Sequence, residues 1–281
     1  STLCDTLEKD KEARKKRDEQ YEEGLRRTGL GDDAPGGASF TGASKVVHPM
    51  LTQGCVDFSA RVMKELFPAD GPAKDKIIGE PTLEKQEKAQ RIVKFLNWQM
   101  TEQMPEFRSE LEQLSTQLPL GGGQYLKMTW DLNKKRPMPM FVAIDDIYLP
   151  FAATNFYSAE RKTHVQYITR IEYQKRVEAG MYMDVDLMAD PLPPEESKAE
   201  TANNKIEGRQ QDSYNIDGLR TIFECYIIHD FGDDHGLAPY VISVDKATQR
   251  VLAIYRNWAE DDETKEELQW LVEFPFVPWR G

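Results

Sequence analysis

Long apolar runs, clustered cysteines and an excess of positive charge are all missing from this sequence, and each absence excludes something. No stretch of about 18 consecutive apolar residues occurs, so no segment is expected to cross a membrane. Only three cysteines are present, Cys4, Cys55 and Cys225. They lie far apart and form no CxxC or CxxH pair, so reduced thiols in a cytoplasmic setting are expected. The formal net charge of −12 argues against a nucleic-acid coat, because gripping phosphates needs a basic field. DNA passing an acidic wall without sticking is compatible with it. No GxSxG, HExxH or phosphate-loop signature occurs, and no Cys–His pair stands in a family order, so no enzyme is expected. The opening residues, STLCDTLEKDKEARKKRDEQYEEG, lack the apolar core of a secretory signal.

What is present is a chain of 281 residues, 40% hydrophobic and 30% charged, long enough to bury a sizeable core. Residues 46–68, VVHPMLTQGCVDFSARVMKELFP, organise it. Leu51, Cys55, Phe58, Val62 and Leu66 recur at helical spacing and are expected to form one buried face. Pro49 suits the first turn, Pro68 forbids continuation, and Asp57, Arg61 and Lys64 fall on the wet side. Pro81 opens a second helix over 82–103, with Ala89, Ile92, Val93, Leu96 and Met100 as its stripe. Pro105 opens a third, in which Phe107, Leu111, Leu114 and Leu118 repeat. Three one-sided helices in succession are expected to pack as a layer. Ahead of them, residues 1–43 read as a charged N-terminal arm and linker. Asp10–Arg14 and Glu12–Lys16 support a helix there, but its surface is polar almost all round, which predicts loose attachment.

The period changes from helical to two at Pro119. Tyr125, Lys127, Thr129 and Asp131 alternate with Leu126, Met128, Trp130 and Leu132, a strand signature. Residues 138–144, 164–169, 222–230, 239–244 and 251–255 and the run LQWLVEFPFV are further strands, with a helix over 171–179 stopped by Gly180. Residues 189–217 are rich in Pro, Glu, Asn and Gln and are expected to form a mobile insertion. Helices first and mostly antiparallel strands after predict an α+β fold, with one domain over 44–281. The chain stops at PWRG directly after an apolar strand, which reads as a fragment of something longer.

The most tempting chemical cluster is HDFGDDHG, in which His229, Asp233, Asp234 and His235 are weak candidates for a divalent metal. Asp and Gly are also what a tight reversal between strands demands, and that reading is preferred. Asp145 and Asp146, with Asp184 and Asp186, resemble two-metal carboxylates only in type, since no Lys or His flanks them in nuclease order. Gly121-Gly122-Gly123 precedes a strand and reads as a turn. No metal, catalytic residue or cofactor is expected. Trp258, Trp270 and Trp279 crowd the last quarter, either filling the core or facing a neighbouring subunit.

Several stretches taken in order resemble one family. HPMLTQGCVDFSARVMKELFP, KAQRIVKFLNWQM, LPLGGGQYLKMTW, THVQYITRIEYQKRVEAGMY, VISVDKATQRVLAIYRNW and FPFVPWRG are similar to the N-terminal region of portal proteins of certain tailed bacteriophages. The resemblance runs from about residue 44 to 281. It implies a wing-like α+β part of a homo-oligomeric ring, usually of about twelve subunits, at one vertex of the virion capsid. It further implies double-stranded DNA in the central channel, a terminase motor, a major capsid protein and tail adaptor proteins as partners, assembly in the host cytoplasm, and no catalytic residue. The family's stem, clip and crown are not recognised within these residues. On residue chemistry alone, two other readings stand beside it: an interaction module docking through its aromatic-rich last strands, and a metal-dependent hydrolase centred on His229 and His235.

Overall fold

A computed structural model describes residues 2–28, 48–131, 134–187, 201, 204, 218–232 and 234–275. The fold is α+β, as the order of helical and two-residue periods predicts. The single domain expected over 44–281 divides into two compact units. One comprises Ser1–Pro49 and Ile144–Gln269, the other Met50–Ala143 and Trp270–Gly281.

The first unit is a five-stranded antiparallel sheet in the order β3-β4-β5-β6-β7. Its strands are β3 (Ile147–Tyr148), β4 (Arg161–Ile168), β5 (Arg220–Asp230), β6 (Leu237–Asp245) and β7 (Val251–Arg256). One sheet face packs under helix α1 (Thr2–Arg26), where Cys4 and Leu7 meet Tyr148, Val165, Phe223, Cys225, Ile242 and Val244. This corrects the loosely attached arm for the residues that are described. Leu7 is 1% exposed, and Tyr21 and Leu25 are buried as well. The inward stripe continues through charged residues: Asp10 takes Arg161 at 2.7 Å, and Arg17 reaches Asp145 at 3.1 Å. Arg14 donates to the carbonyls of Ile144, Asp145 and Ile147 at 2.9, 3.0 and 2.6 Å, and its guanidinium lies 4.0 Å from the Tyr148 ring centre. Paired in this way, buried charges hold a helix down; unpaired they would eject it.

The opposite face is covered in part by helix α5 (Arg170–Glu178). Its start is set by Thr169, whose hydroxyl accepts from the Glu172 N–H at 3.2 Å, and Gly180 follows its C-cap at φ +71°, as the sequence predicts. Tyr173, Val177 and Tyr182 pack there on Ile168, Ile222, Leu252 and Ala253.

The second unit holds helices α2 (Met50–Leu66), α3 (Leu83–Trp98) and α4 (Glu106–Gly121). Its three-stranded sheet has the order β2-β1-β8, from β1 (Gly123–Asp131), β2 (Arg136–Val142) and β8 (Leu271–Pro275). Helix α4 buries Leu111, Leu114 and Leu118, with Phe107 partly buried, on the expected face. Helix α2 exists as expected, but its buried side is corrected. Cys55, Ser59 and Met63 are buried, Phe58 and Val62 are half-buried, and Leu51 and Leu66 are each 40% exposed. The seam with α4 runs through hydroxyls, which turns the helix away from its most hydrophobic line. The Ser59 and Ser115 hydroxyls lie 2.8 Å apart, and Thr116 donates to Ser59 at 3.1 Å. Helix α3 departs most from the expected layer, because none of its residues is buried. The insertion expected at 189–217 lies outside the described residues, save Thr201 and Asn204.

Candidate functional site

The densest chemistry lies on the α5-side face of the five-stranded sheet, where register places polar residues side by side. His164 on β4 pairs with Glu224 on β5, and Glu224 with Ser243 on β6. Glu224 Oε2 accepts from Gln166 Nε2 and from the Tyr226 hydroxyl, each at 2.9 Å, and lies 3.4 Å from His164 Nδ1. Arg176 on α5 closes the cluster, donating to Gln166 Oε1 at 3.0 Å, the Tyr182 hydroxyl at 2.7 Å and Glu172 at 3.1 Å. Farther along β4, Lys162 is bound by Glu267 at 2.8 Å. Burial raises the Tyr226 phenol well above its ordinary pKa, with Glu224 adding to the effect, and burial likewise raises Tyr182. His164, Gln166, Tyr182, Tyr226 and Ser243 are all buried. Glu224 Oε2 is shared by donors from two neighbouring strands and both donors are buried, so the cluster is suited to fixing strand register.

The metal candidates are dispersed. His229 ends β5, with its ring edge-on to Phe231 at 4.6 Å. His235 lies across the turn, edge-on to Trp258 at 5.5 Å, and its carbonyl accepts from Lys265 Nζ. Asp234 is exposed, and Asp233 lies outside the described residues. Among the described residues, no three of His, Cys, Asp and Glu gather closely enough to hold an ion. The carboxylates considered for a two-metal centre flank opposite edges of the sheet. Asp145 is paired to Arg17 just before β3, and Asp184 and Asp186 sit beside β7, where Met183 N–H meets the Leu252 carbonyl. Gly122 stands at φ +77° behind α4, with its N–H on Leu118 at 2.9 Å, which is a helix-to-strand turn.

Of the three aromatics considered for an interface, Trp258 is half-buried and caught edge-on by Tyr240 at 5.4 Å. Trp270 is 39% exposed, and Trp279 lies outside the described residues. A larger uncovered apolar surface lies on α3, where Ile92, Phe95 and Trp98 are 48%, 56% and 48% exposed. Of these three, the spacing puts only Ile92 in the apolar stripe expected to pack in the helical layer. A signal was present: Ile92, Val93, Phe95, Leu96 and Trp98 leave few polar positions in its second half, and a helix apolar on several sides requires more than one partner.

Compared with protein-family models and with curated proteins, the chain matches none.

Proposed function

We propose that this chain is a structural subunit of the head-to-tail junction of a tailed bacteriophage, a wing-like part of a portal ring through which double-stranded DNA is packaged and released. The observation that carries the assembly reading is α3, a 16-residue helix with no buried residue and an aromatic stripe open to solvent. An isolated helix of that length is marginal in water, and tertiary packing usually stabilises it, so a surface of this kind belongs to a protein that works assembled. The ordered resemblance over about 44–281 supports a portal in particular. So does the net charge of −12, which suits a conduit that must not hold the nucleic acid passing it. Shell protein, terminase and tail adaptors are the partners this reading brings.

The test is the size and symmetry of the purified protein, by mass photometry and by electron microscopy down the particle axis. A closed ring of about twelve copies is expected. A monomer at the highest attainable concentration, or an open chain of subunits, would remove the reading.

A further inference from the structure

Helices α2 and α4 pack together, and between them lies an open groove of about 570 Å³. Val56, Ala60, Met63 and Lys64 form one wall, Arg108 and Glu112 the other. Helix α3 joins these two in sequence yet covers neither. Ile92, Phe95 and Trp98 recur every three residues on one side of it, uncovered, with Glu84, Glu87, Lys88 and Arg91 around them. A ridge and an unfilled groove on the same unit, contributed by three consecutive helices, are the two halves of one helical layer.

Local structure holds α3 out of its own groove. Asn97 accepts from the Ala73 N–H at 2.7 Å and donates to the Asp70 and Ala73 carbonyls at 3.4 Å. Gly71 sits at φ +97°, where a Cβ would lie 2.6 Å from the Asn97 side chain, so this bracket is built around the absence of a side chain. Directly after this bracket α3 runs into the π-helical turn Gln99–Gln103, and Met104 and Pro105 break the path before α4 begins. Both constraints set the C-terminal end of α3, and the direction of the helix follows from them.

We infer that the Ile92–Phe95–Trp98 ridge of one copy seats in the α2–α4 groove of a second copy, an exchange of the middle helix between neighbours. Charge fits the occupant: Glu84 and Glu87 near the start of the ridge answer Lys64 and Arg108, and Lys88 and Arg91 answer Glu112. The contact is heterologous, because ridge and groove are different surfaces of one chain, so every copy keeps one of each to offer onward. It names the subunit contact of the assembly proposed above and rests on that reading.

Complementation tests it. Phe95→Asp ruins the ridge and spares the groove, and Ala60→Trp fills the groove and spares the ridge. Both positions are exposed, so each variant should melt as the parent does; Val56→Trp, also exposed, replaces Ala60→Trp if that variant misfolds. Each variant alone should associate at least about tenfold more weakly than the parent. Mixed one to one, they should form dimers and nothing larger, because one intact ridge then meets one intact groove. A cross-link between Phe95→Cys in one chain and Lys64→Cys in another should appear in the same mixing format, the native cysteines being buried. Variants that assemble like the parent, a mixture that stays monomeric, or a Phe95→Cys, Lys64→Cys double variant that links within one chain would each overturn the inference. A ring that survives both substitutions keeps the portal reading and removes this contact. Ridge-to-groove pairing without ring closure does the reverse.

Discussion

Arg14 shows how a single side chain can fix an element that hydropathy does not reveal. Its three carbonyl acceptors and the Tyr148 ring lie more than a hundred positions away in sequence, on β3 and the turn that leads into it. Arg14→Ala should cost about 3 kcal/mol, since it strips a charged donor from several buried acceptors at once. The shift in urea midpoint checks this, and a shift within error would mean that α1 is held by Leu7 and Tyr21 alone. Glu106 gives a pH signature in the other unit. Hydrogen bonds from Arg136 hold its carboxyl down from 4.5 to about 2. A depressed carboxyl contributes stability above its ordinary value and loses it as pH falls toward the folded one. The parent should therefore lose more stability than Glu106→Gln between pH 4.5 and 2, and parallel pH–stability curves would contradict the pairing. Cys225 is the third residue-scale case. Burial pushes its thiol up to about 11, so iodoacetamide at pH 8 should leave it unmodified in the native protein and label it in urea.

At the scale of elements, α2 separates what the sequence conveys from what it conceals. The helix itself was legible in the spacing of Leu51, Cys55, Phe58, Val62 and Leu66 and in the flanking prolines. Which side faces inward was not, because Ser59, Ser115 and Thr116 satisfy one another across the seam and count as polar when read singly. Met63→Ala should cost about 3 kcal/mol and Leu51→Ala well under about 1 kcal/mol. The reverse order in thermal or urea melts would restore the original face. The strands were legible because alternation survives on a half-covered sheet. The hairpin from β6 to β7 was marked by its DKATQR turn, where Asp245 accepts from the Thr248 N–H at 2.8 Å. The polar cluster on that sheet was hidden, because His164, Glu224, Ser243 and Arg176 become neighbours only through strand register. The inward side of α1 was hidden for a related reason: its middle is charged, and the partners that make those charges tolerable, Arg161 and Asp145, are remote in sequence.

For the molecule as a whole, the division into units follows from two excursions of the chain. It leaves the first unit after Pro49, builds the second over Met50–Ala143, and returns at Ile144. The second unit is completed only when β8 comes back to lie beside β1, pairing Leu126 with Val272 and Gln124 with Phe274. A chain ending at Gln269 should therefore lose cooperative melting in the second unit while β4, β5 and β6 of the first keep their amide protection. Hydrogen exchange read by mass spectrometry distinguishes the two, and loss of protection throughout would show that the units do not stand separately. The boundary before Met50 was legible in part, since the domain expected from residue 44 begins close to it. The other was not, because nothing in the composition around residue 144 marks a return to an earlier sheet.

That late return of β8 has a consequence for synthesis. A nascent chain leaves the ribosome with the β1–β2 hairpin made and the far edge of β1 bare, and it must keep that edge from pairing with a sister chain on the same message until Leu271–Pro275 emerges. The prolines at positions 137 and 139 blunt the other edge of the hairpin, so any chaperone dependence during translation should centre on β1 and ease once β8 has emerged.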